Sequence, residues 1–211
     1  MSDYLRIHNL EALADYPKFL LVYSPGKAPT EVAEHSHYLN PLYTYGIRGE
    51  SRVWGDIAVS KQYVIAALIT STLASHGLKI DEIAYALSMV RLESGFNPDA
   101  AAGSSSACGL AQFIDATRKA LAARCGMSSV ELFKFDAIRN CILLTEHLYE
   151  CFTWAKGEEG NKWILAYKYH HDGPYKDYGG AELAEKYILP MMNTAKAFAE
   201  SILRIPDTPG H

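Results

Sequence analysis

From Ser60 to Leu203 the chain reads in helical period, and no run alternates apolar and polar residues long enough to make a strand. That pattern dictates an all-α domain, α+β at most, with any small β element confined to the N-terminal part or to a Gly-Ser loop near 103–106. Stop signals divide the helices. Ser60 is placed to cap a first helix that ends at Gly77. Asp81 is placed to cap a second, with Ile80 and Tyr85 spaced as a hydrophobic staple. Its apolar face carries Ile83, Ala86, Leu87 and Val90, and Gly95 and Pro98 stop it. Further helices are expected over Ala116 to Arg124, from a capping box at Ser128 to Glu131, and over Asp136 to Ala155. The last of these has Ile138, Cys141, Ile142, Thr145 and Leu148 on its stripe. Trp163 to His171 follows, broken by Asp172-Gly173-Pro174. Ala181 to Leu189 and Met191 to Leu203 close the domain as two helices hinged at Pro190.

Residues 1–58 have another texture, rich in Tyr, His, Pro and Gly with weak periodicity and one short helix near Leu10 to Phe19. The expected organisation is an extension over 1–58 that wraps the domain or binds a partner, a helical domain over 59–205 and a tail over 206–211. A formal charge of −4 with scattered Lys and Arg excludes the basic stripe that nucleic acid needs. The most apolar run, Tyr63 to Ala74, is too short to span a bilayer and reads as a core helix. The first residues carry acids where a secretory signal has a basic start. Synthesis in the cytoplasm, with any action outside relying on non-classical delivery, is the expectation. None of the four cysteines forms a C-x-x-C pair, and all are expected as free, buried thiols. No cofactor is implied.

Glu93 closes the second helix on or beside its apolar face, three residues after Val90 and seven after Ala86. The negative end of the helix dipole and loss of water both raise a carboxyl pKa there, which suits a general acid. A solvated helix-end Glu is the ordinary alternative, and spacing alone does not displace it.

The neighbouring residues do. Glu93-Ser94-Gly95-Phe96-Asn97-Pro98 is followed by a small-residue loop and then Ser104-Ser105-Ser106-Ala107-Cys108-Gly109-Leu110-Ala111-Gln112-Phe113. These linked motifs resemble those of the lytic transglycosylase and goose-type lysozyme superfamily, most closely members from phages and secreted effectors. "LAYKYHHDGP", Leu165 to Pro174, sits where that family has its third, Tyr-containing motif. The resemblance covers about Ser60 to Met192 and implies a lysozyme-like helical domain. It implies Glu93 as catalytic acid/base, Gln112 lining the cleft and bonding sugar, and the Tyr167 hydroxyl near the carboxyl. Ser104 or Ser105 matches the loop Ser that orients the Glu, and Tyr169 and His170 join the candidate substrate contacts. Asp115 stands where many relatives have Pro, and "HHDG" replaces the commoner Tyr-Asn-Ala-Gly ending. A metal reading of His170, His171 and Asp172 is set aside, because adjacent residues leave a helix in different directions.

The implied substrate is the peptidoglycan glycan strand, cut between N-acetylmuramic acid and N-acetylglucosamine. The implied mechanism uses one Glu twice and closes a 1,6-anhydro ring without water. A hydrolytic muramidase, of the goose type or from a phage lysin or tail, needs a second carboxylate, for which Asp99, Asp115 and Asp172 are the candidates. An antibacterial effector of type VI kind is the favoured biology, with a cognate immunity protein and a secretion-apparatus component as partners. An inactive glycan-binding module is the third reading.

Overall fold

The computed structural model describes residues 47–127 and 134–204. The expected helix at 10–19, the capping box at Ser128 to Glu131 and the tail at 206–211 lie outside them. The described residues form an all-α domain of α1 (Val59–Ser75), α2 (Ile80–Ser94), α3 (Asp115–Arg124), α4 (Ala137–Lys156), α5 (Lys162–Asp172), α6 (Gly180–Leu183) and α7 (Leu189–Leu203). Their only β pairing is a set of isolated bridges in the Gly-Ser loop, Ala101 with Cys108 and Cys108 with Phe113.

Helix α2 is the axis of the fold. It packs on α1 and α7, while α4 packs on α5 and α1. Every residue from Ile83 to Val90 is buried, so α2 is enclosed rather than amphipathic. Small side chains at Ala84, Ala86 and Ser88 let neighbouring elements approach closely. Ser88 spends its hydroxyl on the Ala84 carbonyl, 2.9 Å away, which makes its burial tolerable. The cap of α2 also differs from the expected Asp81. Lys79 is the N-cap, and its N–H donates to the Glu82 carboxylate at 2.8 Å. Helix α1 likewise begins at Val59, behind Ala58, rather than behind Ser60.

The C-terminal helices do not part at Pro190. Gly180 to Leu203 runs on as one helix with a π turn at Ala184–Ile188. Leu189 N–H donates to the Ala184 carbonyl, one residue farther back than in an α-helix. A proline in a regular helix collides with the carbonyl four residues back and has no N–H to give it. The widened turn just before Pro190 absorbs both defects without a break.

Residues 47–58 lie against the domain as a strap over the turn that follows Glu93. Buried Asn97 donates to the Ser51 and Val53 carbonyls at 2.9 and 2.7 Å. Gly49 N–H donates to Asp99 at 2.9 Å, and the Trp54 indole to the Leu92 carbonyl at 2.8 Å. Gly49 has to be glycine, since a Cβ there would stand 1.7 Å from the Asn97 amide oxygen. Burial under the strap pushes the Asp99 carboxyl up to about 6, against the pull of Arg52 and Gly49 N–H.

The sign of the resulting pH effect follows. The native state holds the Asp99 proton more tightly than the unfolded chain, so stability falls as pH rises from about 4 to about 6. Roughly 2–3 kcal/mol is expected to be lost across that window. Urea unfolding at pH 4 and pH 7 should show this loss in the wild type and a smaller one in Asp99→Asn. An equal pH dependence in both proteins would refute it.

Candidate active site

The site begins at the C-terminus of α2. Gly95 ends the helix in the left-handed region, at φ 58°, with its N–H on the Arg91 carbonyl. Phe96 follows, also left-handed at φ 60° and fully buried. A non-glycine residue there is strained by about 1 kcal/mol or more and persists because packing holds it. The paired left-handed residues reverse the chain immediately after Glu93. Its carboxylate then lines a cleft of about 630 Å³, with only 14% of the side chain exposed.

Two residues of α5, three apart and so on one face, meet that carboxylate. The Tyr167 hydroxyl donates to Glu93 Oε1 at 2.5 Å. His170 Nε2 lies 3.4 Å from the same oxygen. Both contacts fall on Oε1. His170 Nδ1 is in turn 3.0 Å from Nε2 of His147, a buried residue of α4. His147 Nδ1 points at Glu150, 3.6 Å away, an electrostatic contact longer than a hydrogen bond. Arg124 and the Tyr169 hydroxyl each donate to Glu150 at 2.9 Å.

These neighbours overturn the raised carboxyl expected from the helix end. Burial does push Glu93 up. Hydrogen bonding from His170 and its charge, with the Tyr167 hydroxyl and His171, outweigh burial and set the carboxyl below the ordinary glutamate range. Burial raises the Tyr167 phenol, and the Glu93 charge raises it further, so its proton stays on the hydroxyl. His147 is pushed down to about 4 by burial and is neutral at pH 7. Glu150 is held at about 2 by the His147 imidazole, Arg124 and Tyr169.

The opposite wall is the Gly-Ser loop. Gln112 is left-handed at φ 49°, and its amide donates to the Gly109 and Ala100 carbonyls at 2.8 and 3.2 Å. Both donors are used on the loop, so the acceptor oxygen is what Gln112 offers a sugar. Buried Arg118 clamps the same loop from below through the Cys108 sulfur at 2.9 Å and the Phe113 carbonyl.

An acid held by a tyrosine across a cleft from a Gln-bearing loop carries the resemblance into three dimensions, and comparison with known families agrees with it. Residues 78–176 match the family model of the transglycosylase SLT domain. This segment, which makes up most of the helical domain, is similar to that family. No curated protein and no solved structure matches the chain. The match supports, at family level, a glycosidase-type activity of the peptidoglycan lytic transglycosylase kind.

Within the matched segment, Glu93, Gln112, Ser105, Tyr169 and His170 line the cleft together, and Tyr167 reaches it through Glu93. Ser104 is exposed and stands outside the cleft lining. Ser105 accepts from Ala107 N–H at 3.2 Å, and neither serine touches Glu93. Tyr169 meets the Glu150 carboxylate rather than the space above Glu93. The adjacent histidines diverge as their helix requires: His170 turns to Glu93 and His147, whereas His171 turns to Asp172 at 2.5 Å.

The candidate second acids divide. Asp99 is buried beneath the strap, outside the cleft, and Asp115 pairs with Arg118 and Lys134 on its far side. Asp172 lines the cleft, yet its side chain is enclosed and engaged by His171 and Gly180 N–H. Sequence reading missed His147, Glu150, Arg124 and Arg118. His147 had one available signal: a lone histidine on the buried stripe of α4, one helical turn after Leu143.

Tyr167→Phe removes the short bond to Oε1. It is expected to cut kcat about 10- to 100-fold, the loss of one charge-assisted hydrogen bond. Because that bond lowers the Glu93 pKa, the alkaline limb of the rate profile moves to higher pH. A steady-state pH profile checks both, and an unchanged limb would count against the contact.

Proposed function

We propose that this domain cuts the N-acetylmuramic acid–N-acetylglucosamine bond by the transglycosylase route, with Glu93 as the one acid/base. Glu93 gives its proton to the glycosidic oxygen as positive charge develops at the muramic carbon. The resulting carboxylate takes the proton of the muramic 6-hydroxyl, whose oxygen closes the 1,6-anhydro ring. The proton balance returns Glu93 to its starting state, and no water enters.

The observation that carries this reading is the engagement of the other two carboxylates in the cleft. Glu150 is occupied by Arg124 and Tyr169, and Asp172 by His171 and Gly180 N–H. Neither is free to activate a water, as a hydrolase with paired carboxylates requires. Mass spectrometry of muropeptides released from purified peptidoglycan tests it. Anhydro-muropeptides are the expected product. Reducing ends, heavier by one water, would make the enzyme a muramidase and turn attention to Asp172, and no product at all would favour a glycan-binding module.

The substrate lies outside the cytoplasmic membrane, so the enzyme acts there. We hold an antibacterial effector role, with residues 1–46 available for delivery or an immunity partner, as the biological setting. Lysis on expression in the periplasm, but not in the cytoplasm, supports it.

A further inference from the structure

Beyond Glu93 itself, the cleft holds two buried imidazoles that the transglycosylase route does not use. We propose that His170, oriented by His147 and Glu150, stores the proton that arms Glu93, and that it returns this proton when glycan fills the cleft. The inference rests on Glu93 as the acid of the proposed function.

The geometry fixes the direction of the chain of contacts. Glu150, ionised and tied to Arg124, sits 3.6 Å from His147 Nδ1, and a proton on that nitrogen faces the carboxylate favourably. Neutral His147 then has only a lone pair on Nε2 and accepts from His170 Nδ1–H across 3.0 Å. At that separation the two imidazole nitrogens meet each other directly, which leaves no room for a metal ion between them. The remaining His170 nitrogen, Nε2, faces Glu93 Oε1 at 3.4 Å. One proton is therefore shared between Nε2 and the carboxyl. Placed on Nε2, it gives an ion pair. Placed on Glu93, it gives two neutral groups.

Water decides between the two forms. Tyr167 and His171 on α5 favour the ionised carboxylate in the open cleft. Asp172, the one carboxylate of that helix, is paired with His171, and Lys168 reaches away to the Lys176 carbonyl. Phe113 packs edge-on at 5.1 Å from His147 and 6.0 Å from His170 and already covers one side of the pair. A glycan in the cleft removes water from the other side, and a dehydrated ion pair loses ground to its neutral form. The Nε2 proton passes to Oε1, His170 becomes neutral, and Glu93 becomes the acid. A half-turn of the carboxyl, whose last torsion is broad and two-fold, brings that proton to the cleft. Glu150 and His147 stay in their original states throughout, so they are positioning residues rather than reacting ones.

Imidazole nitrogen NMR on the whole chain tests the store without relying on activity. In the wild type His147 is expected to carry its proton on Nδ1, and His170 to carry one on Nδ1 against His147 Nε2, with its Nε2 signal set by the Glu93 carboxyl. In the isosteric Glu93→Gln, which leaves no carboxyl to share that proton, the His170 Nε2 signal should change. Glu150→Gln should abolish the His147 preference and lower kcat/KM about tenfold or more while the fold, followed by circular dichroism, is kept. Identical His170 signals in wild type and Glu93→Gln, or a proton on His147 Nε2, would overturn the proposal. If the coupling is present but the products are hydrolytic, the transglycosylase reading falls and the proton store stands.

Discussion

Glu93→Gln is expected to lower kcat at least 10³-fold, a loss of about 4 kcal/mol or more of transition-state stabilisation. The amide keeps the volume of the side chain and still accepts from the Tyr167 hydroxyl, so the fold has no reason to suffer. What it removes is the exchangeable proton, and in a mechanism that uses one carboxyl twice both steps fail together. The neighbours hold the carboxyl below its ordinary range, so its ionised form contributes to stability, and removing it from the buried pair with His170 should lower the melting temperature slightly. Release of muropeptides from purified peptidoglycan, read beside a thermal melt, separates the two effects. Retention of more than a tenth of the activity would remove Glu93 from the role of acid, whatever its place in the cleft.

The same residue marks how far the sequence was legible. The helices were readable because their apolar spacing and their Gly and Pro stops are local properties, and the E-S-G-F-N-P turn pointed to the carboxyl that lines the cleft. The pKa direction was not readable. Helix end and burial are visible in the chain near Glu93, but the groups that reverse their effect lie on α5, more than seventy residues away. The role of His147 was not readable for a similar reason. On α4 it is one more member of a buried stripe, and only the packing of α4 on α5 turns its ring toward His170. Pro190 illustrates the opposite error. A local rule predicted a hinge there, and a one-residue widening of the helix satisfied the rule without one. The Gly-Ser loop was recognised by its motif, whereas the side chain that holds it, Arg118, looked like any charged residue on an exposed helix.

Arg118 gives the largest stability effect expected in the domain. Its side chain is 1% exposed, and its guanidinium reaches Asp115 at 2.7 Å, the Cys108 sulfur at 2.9 Å, the Cys108 carbonyl at 3.4 Å and the Phe113 carbonyl. Arg118→Ala would take the charged donor from the Cys108 carbonyl, leave the Phe113 carbonyl with only the long Cys108 N–H contact, and open a cavity beneath the loop. An unsatisfied buried group costs about 1–3 kcal/mol, and breaking a buried charged network about 3–5. A loss of about 3–5 kcal/mol in urea unfolding is therefore expected. Arg118→Lys should fall between, since an ammonium keeps the charge beside Asp115 but cannot span the fork. Activity should fall further than the remaining folded fraction explains. The loosened segment carries Gln112 on the cleft wall and Phe113 over the paired histidines, so both sugar contacts and water exclusion weaken. A variant that loses less than about 1 kcal/mol would mean that water replaces the guanidinium at no cost, and the loop would then owe its shape to its own backbone bonds, above all those of Gln112 and Gly109.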